Sequence, residues 1–145
     1  MITEDYVSFE TAKLLKEKEF DGDTNCYYIE GSVDKNLCYS PIRQNHNKRI
    51  TNNEFDIDIN ISSGKISAPT LQMARKWLRE KHNLHVDVRI TNHGITIDII
   101  KYYWVITNTE TGRWCDESTI YTVKAFDTPE EAEDDAIRHA LEKLT

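Results

Sequence analysis

Residues 66–83, ISAPTLQMARKWLREKHN, constrain the chain more than any other stretch, because their pattern fits an amphipathic helix and little else. Leu71, Ala74, Trp77 and Leu78 recur at three- and four-residue spacing, which gathers them on one apolar stripe. Arg75, Lys76, Arg79 and Lys81 take the remaining surface, so the helix has a core-seeking side and a basic side. Ser67 is the expected N-cap, with Pro69 in the first turn, where no intrahelical donor is needed. Ile66 and Leu71 stand at the two positions of a hydrophobic staple, and Asn83 can adopt the left-handed conformation that ends a helix.

After this helix, Leu84, Val86, Val88 and Ile90 alternate with His85, Asp87 and Arg89, the period of a strand with one buried face. Asn92, His93 and Gly94 predict a tight hairpin turn, the glycine supplying positive φ. It leads to a longer strand over 95–107 whose apolar run, 102–106, is expected to be covered on both faces. Beyond a turn at 108–112, a third strand over 118–125 completes a meander. The last helix carries strong start signals: Thr128 as N-cap, Pro129 in the first turn and Glu131 at the capping-box position. Ala132, Ala136, Ile137, Ala140, Leu141 and Leu144 form its apolar stripe.

Toward the amino end, Ser8 can cap a first helix running to about Glu19, with Val7 and Ala12 in staple positions and Phe9, Ala12 and Leu15 on one stripe. Two short strands, 26–30 and 37–40, flank the turn-rich GSVDKN and predict a hairpin that ends at Pro41. Residues 43–53 hold one Ile and no apolar period, which predicts a loop. Phe55, Ile57, Ile59 and Ile61 alternate with Asp56, Asp58 and Asn60 as a further half-buried strand. The fold class expected is α+β: one domain over 1–145 with a mainly antiparallel sheet, an N-terminal hairpin plus a three-stranded meander, and about three helices packed on it.

The composition, 39% apolar and 30% charged, argues against a disordered tail or a disulfide scaffold. Cys26, Cys38 and Cys115 have no metal-like spacing and read as small thiols in or near the core, although Cys26 and Cys38 can face one another across the hairpin. The amino end has no apolar leader-like run, and 102–106 is far too short to cross a bilayer, so no membrane and a cytoplasmic location are expected.

A net charge of −7 opposes nonspecific attraction to phosphate, but it is unevenly spread. Residues 1–23 carry seven acids against three lysines, and 127–145 carry seven acids against two bases. Between them, Arg43, Lys48 and Arg49 make one basic segment, and Arg75, Lys76, Arg79 and Lys81 outnumber the lone Glu80 in another. This basic middle can face an acidic partner or sit against the acidic ends of the same molecule, and the second reading weighs more.

Asp56 and Asp58, joined by Asp87 or Asp98, have the chemistry to hold a hard cation such as Mg²⁺. The same spacing arises on any strand with a wet face, and no Glu or His accompanies the pair at a recognisable interval, so the structural explanation outweighs the metal. His82 and His85 are aimed apart by the helix end between them, and neither a nucleophile motif nor a phosphate-cradling glycine loop is present. No catalysis, metal or cofactor is expected, which leaves binding. Another protein is the favoured partner. The alternative is nucleic acid held along Arg43, Lys48, Arg49, Arg75, Lys76, Arg79 and Lys81, with Tyr27, Tyr28, Tyr39 or His46 stacking on bases.

From residue 67 onward the order helix, three antiparallel strands, helix is similar to that of double-stranded RNA binding domains. That family grips phosphate with lysines at the start of the last helix, whereas the matching stretch here is PEEAEDD, whose carboxylates repel RNA. The segments VSFETAKLLKEKEF and ISAPTLQMARKWLRE, with the acidic, alanine-rich last helix, make the chain resemble a family of small uncharacterised proteins encoded on phages and mobile elements of gut bacteria. Residues 43–64 depart from that family's pattern. The resemblance implies a cytoplasmic accessory protein and assigns no activity, cofactor or functional residue.

Overall fold

Two three-stranded antiparallel sheets organise the chain, in strand orders β2-β1-β3 and β4-β5-β6. In this computed structural model the structure describes residues 3–48, 64–92, 100–118 and 125–145. The chain divides into two compact units, Met1–Thr70 and Leu71–Thr145. With three α-helices beside the sheets among the described residues, the fold is α+β, as the sequence patterns predict.

In the first unit, helix α1 (Phe9–Glu17) opens where Ser8 caps it, its Oγ accepting from the Thr11 amide. The helix closes sooner than about Glu19: Lys18 is the C-cap and Glu19 takes φ 65°. Thr11, Ala12 and Leu15 are buried, and the Phe9 and Tyr28 rings meet edge to face with centroids 5.5 Å apart. Strands β1 (Thr24–Ile29) and β2 (Cys38–Gln44) form the predicted hairpin, and β3 (Lys65–Ser67) pairs with the other edge of β1. Cys26, Tyr28 and Ile66 are buried with Val7, and the Tyr28 hydroxyl donates to the Val7 carbonyl at 2.7 Å.

Four further expectations for this unit are corrected. Pro41 does not end β2, which runs on to Gln44; among the described strands β2 lies at the sheet edge, where a residue without an amide donor is tolerated. Arg43 and Gln44 therefore belong to a strand rather than a loop. Ser67 is not a helix cap: it lies in β3, and its amide and hydroxyl are both engaged by Asn47. Cys26 sits opposite Tyr39 and Cys38 opposite Tyr27, so the two thiols are offset by one position and both are free.

In the second unit, helix α2 (Leu71–His82) buries the predicted Leu71, Ala74, Trp77 and Leu78, and Asn83 ends it at φ 56°. Strands β4 (Leu84–Asn92), β5 (Ile100–Asn108) and β6 (Trp114–Glu117) form the meander. The described third strand, β6, precedes the predicted 118–125 and follows a short turn: the amide of Gly112 (φ 70°) donates to Asn108 O, and the Asn108 amide to Arg113 O. Residues 119–124 lie outside the described residues, as do the predicted strand at 55–61 and the turn residues His93 and Gly94.

Helix α3 (Pro129–His139) starts as predicted, Thr128 Oγ1 accepting from the Glu131 amide, and continues into a π-helical turn, Ala140–Leu144. Leu84, Val86, Trp104 and Ile106 share one sheet face by register and are buried, with Trp104 tied to α3 through its indole. Val105, on the opposite face between Asp87 and Glu117, is also buried, so the run in β5 is covered on both sides at its centre. Cys115, expected in or near the core, is exposed on β6, the outer strand among those described.

Candidate functional site

The seven predicted basic residues fall in different places. Arg43 and Lys48 are exposed in the first unit, at the end of β2 and in the turn beyond it, and Arg49 lies outside the described residues. On α2, Arg75 Nε stands 2.9 Å from Glu133 Oε1, and Lys76 lies 3.8 Å from Glu80 one turn on. Arg79 and Lys81 face water. The proposed stacking residues do not form a set: Tyr28 and His46 are buried, Tyr27 is half-buried, and Tyr39 is 70% exposed.

A more coherent feature is the β1–β2 hairpin. Five of the eight large apolar side chains exposed among the described residues lie on it: Ile29, Val33, Leu37, Tyr39 and Ile42, with Val33 98% exposed at the turn. The turn is held open by polar contacts within itself. Gly31 and Lys35 take φ 77° and 47°, and the Asp34 carboxylate accepts from the Ser32 hydroxyl and the Asn36 amide group. Donation from Ser32 holds the Asp34 carboxyl below its ordinary value. Lys35 reaches back to Glu10 at 3.1 Å and over the Phe9 ring at 5.1 Å, fixing the turn relative to α1.

The middle of β2 presents side chains while its main chain is occupied. The pairing shifts between Cys26↔Tyr39 and Thr24↔Gln44, so residues 40–43 bulge from the ladder. There Asn25 Nδ2 donates to the Ser40 carbonyl, the Ile42 amide donates to Ser40 Oγ, and Pro41 has no amide to offer. A partner strand cannot extend the ladder at this point, so contact here falls to Tyr39, Ile42 and the turn. In the sequence the signal is a run of apolar residues flanking a polar turn with no period, which strand reading alone passes over.

Beneath the hairpin, His46 is 3% exposed, with Nε2 3.0 Å from the Thr24 carbonyl and its ring 4.9 Å from that of Tyr27. Lys65 Nζ lies over the Tyr27 ring at 4.6 Å. Burial pushes His46 below the ordinary imidazole value; the Thr24 carbonyl opposes this and the Lys65 charge adds to it.

The second unit has its own polar contacts. Trp104 Nε1 donates to Asp135 Oδ2 at 2.9 Å, Arg138 pairs with the other oxygen of Asp135, and His139 Nε2 lies 2.7 Å from Asp116. On the other sheet face the Arg89 guanidinium lies over Trp114 at 5.1 Å and binds Asp87 at 2.9 Å. Asp56, Asp58 and Asp98 lie outside the described residues, and among the described residues no three His, Cys, Asp or Glu side chains are grouped to hold a metal ion. No helix among the described residues is long and apolar enough to cross a membrane. No protein-family model matches the chain, and neither the curated proteins nor the solved structures provide a match.

Proposed function

We propose that this protein acts without catalysis by binding another protein, and that the β1–β2 hairpin is the docking surface. The reading rests on one observation, the concentration of Ile29, Val33, Leu37, Tyr39 and Ile42 as exposed apolar side chains on a single hairpin. Exposed apolar residues scattered singly carry no meaning, whereas a cluster on a braced turn is the usual character of an interface core. Tyr39 is the natural anchor, being large, amphipathic and low in conformational entropy. A cytoplasmic accessory role, of the kind encoded on phages and mobile elements, agrees with the family resemblance.

The test compares the full chain with Tyr39→Ser/Ile42→Ser and Val33→Ser variants. Tagged protein is recovered from an extract of its source cells, and the partner found is then purified and titrated. Loss of at least tenfold in affinity with unchanged circular dichroism supports the reading, since one or two anchor residues usually dominate an interface. Equal affinity for all variants overturns it, as does recovery of nucleic acid that Arg75→Glu/Arg79→Glu releases.

A further inference from the structure

We propose that residues 45–48 form an acid-released latch: His46 and Asn47 hold this turn against the first sheet while the His46 ring is uncharged, and the turn comes away when Nδ1 takes a proton. The tautomer follows from the contact partner. A carbonyl oxygen only accepts, so the 3.0 Å contact with Thr24 O requires the proton on Nε2 and leaves Nδ1 a bare acceptor. Nδ1 is fully buried and makes no hydrogen bond. A second proton can go only there, where it becomes a buried donor with nothing to receive it.

Among the described residues, the Thr24 carbonyl on Nε2 favours the new charge, and burial and the Lys65 cation oppose it. Among the described residues, the titratable groups facing the ring are Tyr27 from β1 and Lys65 from β3, and Lys65 is itself a cation. The next residue then transmits any displacement of His46. The Asn47 amide donates to Ser67 Oγ at 3.1 Å, its Oδ1 accepts from the Ser67 amide at 2.8 Å, and its Nδ2 donates to Phe20 O at 3.1 Å. Three hydrogen bonds to β3 and to the residues after α1 thus depend on a turn closed by the Lys48 amide on Asn45 O and seated by His46.

The sign is fixed by linkage. In the open turn His46 takes its proton at the ordinary value of about 6.5, and in the closed turn it resists protonation. Closure is therefore complete above that pH and weakens below it, by up to about tenfold for each pH unit. The latch is independent of the docking reading and stands or falls without it.

Native-state hydrogen exchange by NMR on the full chain, from pH 7.5 to 5.0, tests it. Protection factors corrected for the intrinsic pH dependence are read for the Asn47 and Ser67 amides, with the Ile106 amide as reference. Both latch amides should lose protection together between pH 7 and pH 5, by up to about tenfold for each pH unit, while Ile106 holds, because one proton is taken up on opening. His46→Gln, which keeps a side-chain donor for Thr24 O and cannot be protonated, should hold its protection flat. Where that variant does not fold, the wild-type imidazole ¹⁵N shifts decide: a neutral Nε2-protonated ring at pH 7.5 is expected. Flat wild-type protection, or an imidazolium at position 46 with both amides still protected, overturns the latch.

Discussion

Arg75 Nε lies 2.9 Å from Glu133 Oε1, which joins the basic side of α2 to the acidic opening of α3 within the second unit. Glu133 is the more enclosed partner, with 17% of its side chain exposed against 37% for Arg75. A double-mutant cycle with Arg75→Ala and Glu133→Ala should give a coupling of about 0.5–1 kcal/mol. The coupling should shrink as salt is raised from 0.05 to about 0.5 M, since a pair this open to water is screened. A coupling indistinguishable from zero at low salt would show that the contact does not persist in solution.

Trp77 sits at the centre of the α2 stripe, 8% exposed, with the centroid of the His82 ring 4.9 Å from its own. Trp77→Ala should destabilise the protein by about 3–5 kcal/mol, because the lost transfer energy is compounded by the cavity left behind. Denaturant titration reads the change as a lowered midpoint at unchanged slope.

The two N-caps invite a matched pair of substitutions. Ser8 Oγ and Thr128 Oγ1 each accept from an amide three residues on, those of Thr11 and Glu131. Ser8→Ala and Thr128→Ala should each cost about 1 kcal/mol, and Ser→Gly or Thr→Gly at the same sites less. Equal loss for alanine and glycine would point to packing rather than capping.

Nucleic acid should bind weakly. The chain carries −7 overall, and of the four bases on α2, Arg75 and Lys76 already face carboxylates. Titrations with duplex DNA, single-stranded DNA and structured RNA should show no complex tighter than about 10 μM at physiological salt, with any low-salt binding lost steeply as salt rises. Submicromolar affinity weakened by Arg75→Glu/Arg79→Glu would make α2 a nucleic-acid contact surface.

Elements whose signals are local were legible in the sequence. Ser8 and Thr128 cap, Asn83 terminates, and the alternation from Leu84 to Ile90 forms β4, because each depends on neighbours within a turn or a strand pleat. Ser67 shows where such reasoning fails. Ser followed by Ala-Pro before an apolar stripe has the form of a cap, yet a hydrogen-bonding partner twenty residues earlier, Asn47, draws it into a strand. Position 46 fails for the same reason: a histidine among Asn and Lys reads as a wet loop, and only the pairing that brings Thr24 and Tyr27 alongside explains its burial. The exposed hairpin was visible as residues but not as a surface, since Pro41 suggested an end where the structure makes a bulge.

Asn83 has a final consequence. Helix α2 ends at His82 and β4 begins at Leu84, so this single residue, at φ 56°, is the whole connection, and its carbonyl is taken by the Thr109 amide at 2.8 Å. A substitution here costs the strain of a left-handed backbone and the exposed hydrogen bond from Asn83 Nδ2 to Glu110 Oε1 at 3.1 Å. A change of length is another matter. One residue added or removed would shift β4 by one position against the helix, turning His85 and Asp87 toward α3 and Leu84 and Val86 to the opposite face of the sheet. Among variants of this chain, gaps and insertions should therefore be absent at position 83 even where its side chain differs, and should collect instead in the turn at 109–112, whose exposed residues can lengthen without inverting a strand.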